Sequence, residues 1–208
     1  MNKVAKLIFN SNIISKKNIR LYSTKTRDNT NLKVYEDKQT GLIFIKDTIN
    51  KDLNYYKNKK KKKFFQKNSL NRRNIDAERR FEQFKKYFLN KKILDFGSGN
   101  GDFVNLMRRK KYNIFGYEPQ RNLKKNKFIF SKFEDINFRD FEIVTLFHVL
   151  EHLDDPIKYL KEIKKVMKKN SKIIIEVPHA NDFLMKELNI EEFKNFTLWS
   201  EHYILHTS

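Results

Sequence analysis

Ile93-Leu94-Asp95-Phe96-Gly97-Ser98-Gly99-Asn100-Gly101-Asp102 carries the strongest local signal in the chain. Two apolar residues lead into an acid, and glycines follow at alternate positions. Such glycines let a backbone turn sharply and approach a ligand with no Cβ in between. The spacing predicts a short buried strand, a tight turn and a helix opening near Gly101 or Asp102. The first amides of that helix would aim at whatever the turn holds. A pyrophosphate turn follows G-x-G-x-x-G. Here the third glycine comes early, and Asp102 stands where that pattern asks for glycine. An acidic first turn repels a pyrophosphate, whereas Asp95 suits a ligand bearing positive charge. The plain alternative is a structural turn in some other α/β protein.

Two further segments extend this reading. Tyr112 to Tyr117 reads as a second strand ending in Glu118, just before Pro119. An acid about twenty residues past the first glycines can accept from both hydroxyls of a ribose; the alternative is an exposed acid at a strand end. Residues 143–147 read as a fourth strand running into Phe147-His148-Val149-Leu150-Glu151-His152-Leu153-Asp154-Asp155-Pro156. The D-x-G-x-G-x-G turn resembles motif I of class I S-adenosylmethionine-dependent methyltransferases. The later segment resembles the LEH signature of the methyltransferase-23 branch, and the likeness covers about residues 76–207. This resemblance implies S-adenosyl-L-methionine as cofactor, held by Asp95, Gly97, Ser98, Gly99, Gly101, Glu118, Pro119, Phe147 and His148. It also implies an adenine contact just beyond a third strand, Phe128-Ile129-Phe130, with Ser131, Lys132, Phe133 and Glu134 all open.

The 208-residue chain suits one domain plus appendages. It has no cysteine, which excludes disulfides and a thiolate metal site, and no apolar run long enough to span a bilayer. A cytoplasmic location is expected. The net charge of +20 is uneven: residues 1–92 hold 26 Lys+Arg against 8 Asp+Glu, and residues 93–208 hold 19 against 17. The N-terminal part could therefore meet phosphates, nucleic acid or an anionic membrane, although Lys and Asn abound throughout. Residues 1–27 lack acids, as a transit peptide would, but are Lys-rich and show no clear amphipathic helix.

Periodicity organises the remainder. Leu32, Val34 and Leu42 to Ile45 predict two short strands joined by a turn over Asp37 to Gly41. With Thr26 to Asn29 they resemble the small N-terminal module of bacterial methyltransferases acting on surface sugars. The metal-binding cysteines of many such modules are missing. The domain expectation is a β-rich module at 1–54, a basic linker at 55–74 containing Lys59 to Lys63, and a methyltransferase domain at 75–208. Ile75, Phe81, Phe84, Tyr87 and Phe88 predict a helix over 75–89 with Asp76 near its start. Asp155 and Pro156 predict another helix start, with Ile157, Leu160, Ile163 and Met167 as its buried stripe and Lys168 and Lys169 at its C-terminus. Residues 172–178 predict a fifth strand.

Strand–helix alternation implies a Rossmann-like α/β fold, a mostly parallel sheet flanked by helices. Ligands then lie over the carboxyl ends of the strands. Only residues 180–208 follow the fifth strand, so the last strands of the fold are expected to be missing. A partner chain or oligomer would complete the sheet. The expected activity is methyl transfer to a small-molecule acceptor, a sugar or nucleotide-sugar by resemblance. The alternatives are an inactive binding module and, ranked last, an RNA methyltransferase or RNA-binding protein. His148, His152 and His179 are the candidate bases for a hydroxyl acceptor. Ubiquinone-pathway O-methyltransferases can hold a divalent metal near the position of His148, Glu151 and His152. Here a hydrogen-bonding role for Glu151 and His152 is favoured, and no metal is expected there or at His202 and His206.

Overall fold

The computed structural model describes residues 1–47, 66–119, 126–136 and 140–207, with backbone alone for residues 66–70. The lysine run Lys59–Lys63 lies outside the described residues. In chain order the elements are α1 (Lys3–Asn10), β1 (Ile19–Ser23), β2 (Val34–Asp37), β3 (Ile43–Ile45), α2 (Gln66–Phe88), β4 (Lys92–Phe96), α3 (Asp102–Arg109), β5 (Asn113–Tyr117), β6 (Ile129–Phe130), β7 (Phe141–Phe147), α4 (Pro156–Val166), β8 (Met167–Glu176), α5 (Phe183–Lys186), α6 (Glu191–Thr197) and β9 (Ile204–Leu205). Two compact units result. One is Lys51–Phe147 with Leu160–Ile175, and the other is Met1–Asn50 with His148–Tyr159 and Glu176–Ser208.

The first unit is built on the sheet β6-β5-β4-β7-β8. β4 pairs in parallel with both β5 and β7, and β5 with β6. β4 has four consecutive buried residues, the signature of a strand covered on both faces. Ile93, Ile114 and Ile143 meet Phe81 and Phe88 of α2 and Phe103, Val104 and Met107 of α3 in one apolar core. Gly101 caps α3, and Arg108 and Arg109 complement the helix dipole in its last turn.

Several sequence expectations need correction here. α2 begins at Gln66, so Asp76 lies inside it, and Ile75 is 67% exposed because it falls on the solvent face. α4 ends at Val166 and the chain passes straight into β8. Met167, Lys168 and Lys169 therefore belong to a strand and serve no helix C-terminus. Ile157 is exposed, which leaves Ile163 and Val166 as the buried face of α4. Among the described residues the parallel sheet ends at β8.

The second unit carries the antiparallel sheet β1-β2-β3-β9. The expected turn over Asp37 to Gly41 is present. Asp37 Oδ1 accepts from the amides of Gln39 (3.1 Å) and Thr40 (2.8 Å), a local bond that favours turn over strand. The segment after α6 returns to this sheet, where Ile43 pairs with Leu205 and Phe44 with Ile204. Where no clear N-terminal helix was expected, α1 forms: the Asn2 side chain caps it, and Val4, Ala5 and Ile8 are buried against Phe44 and Tyr203.

Candidate functional site

In the first unit, the turn between β4 and α3 takes the form the glycines predict. Gly97, Gly99 and Gly101 have φ of 76°, 53° and 78°, a region that a side chain makes costly. The amides of Gly97 (2.8 Å) and Ser98 (3.0 Å) both donate to the Tyr117 carbonyl at the end of β5. Gly116 lets the two segments close up, since a Cβ there would stand 2.7 Å from Ser98 Oγ. Glu118 follows β5, and its Oε2 accepts from the Gly99 amide at 2.9 Å. Acid and glycine turn are thereby locked together at the carboxyl ends of adjacent parallel strands.

Asp95 is buried one residue from the end of β4. Thr145, its register partner on β7, donates a hydrogen bond to Asp95 Oδ1 at 2.8 Å. Burial pushes the Asp95 carboxyl up to about 7, against the Thr145 bond and the positive field of Arg80. Phe147 stacks on Phe84 at 5.9 Å, meets Phe103 edge-on at 5.2 Å and lies under Arg80, so its ring is a core group. Pro119 is exposed. Of the open adenine candidates, Phe133 packs edge-on against Phe96 and Tyr117, whereas Ser131, Lys132 and Glu134 are exposed.

The turn fits a ligand of the expected kind on two observations. A Cβ added at Gly99 would meet nothing within 4 Å, and Ser98 Oγ is buried with no hydrogen-bond partner. The match with known sequences decides the family: residues 53–206 fit the methyltransferase-23 group, described as a methyltransferase domain. The chain belongs to the methyltransferase-23 family. This class I methyltransferase is similar to two proteins of Methanocaldococcus jannaschii. They are uncharacterized protein MJ0638 (35% identical, 53% of this chain and 52% of that protein) and uncharacterized protein MJ1123 (32% identical, 50% and 53%). The chain thus spans about half the length of these curated relatives. Its fold is similar to that of a SAM-dependent methyltransferase from Archaeoglobus fulgidus, with TM-score 0.52 and 20% identity over 65% of this chain and 63% of that one. S-adenosylmethionine is the cofactor that membership brings.

The methyltransferase's second unit holds the three histidine candidates. His148, with φ of 55°, lies between two carboxylates: Nδ1 is 3.2 Å from Glu151 Oε1 and Nε2 is 3.1 Å from Glu176 Oε1. The hydrogen bonds to Glu151 and then Glu176 raise the imidazole to about 9, so at neutral pH it is a cation and no base. Burial is the largest influence on the Glu151 carboxyl and pushes it up, but the His148 bond, the field of His152 and a backbone hydrogen bond together bring the net shift downward. His152 Nδ1 is 3.0 Å from the Glu201 carbonyl oxygen. His179 Nδ1 accepts from the Asn181 amide at 3.1 Å. His202 Nδ1 is 2.9 Å from the Thr197 carbonyl oxygen, and burial, then the charge of His152, lowers it to about 4.

Sequence reasoning missed Thr145, Glu176 and His202 as members of these clusters. A polar residue inside the apolar run Ile143-Val144-Thr145-Leu146-Phe147 was the available signal for the first. An acid closing the fifth strand was the signal for the second. For His202 the signal read was its spacing from His206, which pointed away from His152.

Among the described residues no helix is long and apolar enough to cross a membrane.

Proposed function

We propose that the chain moves a methyl group from S-adenosylmethionine to a small-molecule acceptor, a sugar or nucleotide-sugar by resemblance. The observation that carries this reading is the Gly99–Glu118 lock, which sets an open glycine turn beside an acid able to take ribose hydroxyls. When bound, S-adenosylmethionine supplies a methyl group already activated on a sulfonium. The chain's own task is then positioning. Ser98 Oγ offers a polar contact to the cofactor's amino-acid part, and Asp95 offers negative charge to its cationic groups. A nucleophilic nitrogen or carbon acceptor needs no base.

Calorimetric titration with S-adenosylmethionine and S-adenosylhomocysteine tests the reading. Micromolar binding, weakened roughly tenfold or more by Glu118→Ala, is expected from the loss of a charge-assisted contact. A folded sample that binds neither ligand overturns it.

A second reading, an RNA acceptor, draws on one observation in the first unit. A cavity of about 420 Å³ is lined by Lys86, Lys91, Lys168, Lys169 and Lys172, with Glu142 and Tyr87. Under this reading RNA binding falls steeply with salt, and Lys169→Glu reduces the slope. Salt-insensitive or undetectable binding in a filter assay removes it.

A further inference from the structure

We infer that Glu151, His152 and His202 form a binding site for a divalent transition-metal cation. One carboxylate oxygen of Glu151 and one ring nitrogen of each histidine lie within 4.8 Å of one another, all within the second unit. Backbone groups set the chemistry of both imidazoles. Each Nδ1 faces a carbonyl oxygen, Glu201 for His152 and Thr197 for His202. A carbonyl only accepts, so each Nδ1 carries the proton and each Nε2 keeps its lone pair. Metal-binding histidines are oriented in this way, with the non-ligating nitrogen donating to a carbonyl or carboxylate.

Glu151 supplies the negative charge. Its side chain is fully buried, and Oε1 meets His148 Nδ1 at 3.2 Å. Oε2 is buried with no hydrogen-bond partner. A buried carboxylate oxygen left without a partner is costly, and a cation is the partner that two neighbouring lone pairs can share with it. Two imidazoles and one carboxylate suit zinc, iron and their neighbours in the first row, whereas magnesium and calcium prefer oxygen donors throughout. The three ligand atoms lie within 4.8 Å of one another, and donors around a tetrahedral ion with bonds of about 2.1 Å stand about 3.4 Å apart, so rotation of the side chains closes the set. Three protein ligands leave a position for an exchangeable oxygen ligand.

The surrounding contacts hold this geometry in place. The rings of His152, His202 and Trp199 meet edge-on at 4.8 and 5.4 Å, and Arg27 covers Trp199 at 4.4 Å. Asp28 takes both the amide (3.0 Å) and the hydroxyl (2.6 Å) of Ser200. The Tyr203 amide donates to the Glu151 carbonyl at 2.8 Å, tying the His202 segment to the turn that carries Glu151 and His152. Sequence spacing grouped Glu151 and His152 with His148, and His202 with His206. The fold takes two residues from the first group and one from the second.

The test uses cobalt(II) as a coloured probe and zinc(II) as its competitor. Chelator-treated, untagged protein is titrated with cobalt(II), and visible absorption bands from one equivalent, displaced by zinc(II), are expected. Glu151→Gln and His202→Ala each weaken binding roughly a hundredfold while circular dichroism stays native. Should either variant fail to fold, His152→Ala provides the same readout. A folded parent chain that develops no cobalt bands overturns the inference, as does binding unchanged in all folded variants.

Discussion

At Asp95 the proposed cofactor contact makes affinity and stability depend on pH with opposite signs. The carboxyl's folded value of about 7 lies above the ordinary 3.8, so between those values the folded state holds a proton that the unfolded chain releases. This contribution to stability is present below about pH 4 and is lost as pH rises toward 7. A cationic ligand prefers the ionised form, so S-adenosylmethionine affinity is expected to rise with pH and level off above about 7. Calorimetry from pH 5.5 to 8.5 checks this, and Asp95→Asn should flatten the curve. Gly99→Ala is a second probe. The positive φ costs about 1 kcal/mol, yet the added methyl meets nothing of the protein itself. Thermal melting should change little while cofactor binding drops about tenfold or more. The turn that joins Asp95, the glycines and Glu118 was legible because its geometry rests on local spacing. Thr145, Glu176 and His202 were not, because each acquires its role from a partner far along the chain.

At the scale of elements, periodic apolar residues were read correctly where packing enforces them. Phe81 and Phe88 of α2 are buried in the core, whereas Ile75 is two-thirds exposed. Phe81→Ala should cost roughly 3–5 kcal/mol and Ile75→Ala under about 0.5 kcal/mol, measured by urea unfolding. The start of α2 was illegible because Lys, Asn and Arg before Ile75 show no apolar stripe. The junction of α4 and β8 was hidden for a different reason. No glycine or proline marks it, and the turn chemistry comes four residues past Val166, inside β8. There Asn170 adopts φ of 63° and the Ser171 hydroxyl donates to the Lys168 carbonyl at 2.7 Å. Lysines beside such a bend resemble a helix C-terminus in sequence alone.

Across the whole molecule the alternation of strands and helices was sufficient to announce a parallel sheet, because each crossover is short and local. The composition of the second unit was not legible, since it gathers three separate segments of the chain. Its buried Glu36 joins Arg20 and Lys186, an ion group whose members come from two of those segments. Glu36→Ala leaves the half-buried Lys186 without its carboxylate, and a loss of a few kcal/mol is expected on urea unfolding. Ile204→Asp should strip hydrogen-exchange protection from β3, its neighbour in the sheet, while β4 in the other unit keeps its own.

That pairing of β3 with β9 also bears on how the protein is made. A ribosome delivers β3 well before β9, so for most of synthesis the nascent sheet exposes a row of unsatisfied amides and carbonyls along β3. Closure over so long a loop is slow. The growing chain therefore passes through a period in which chaperone capture and misassociation compete with completion of its first sheet.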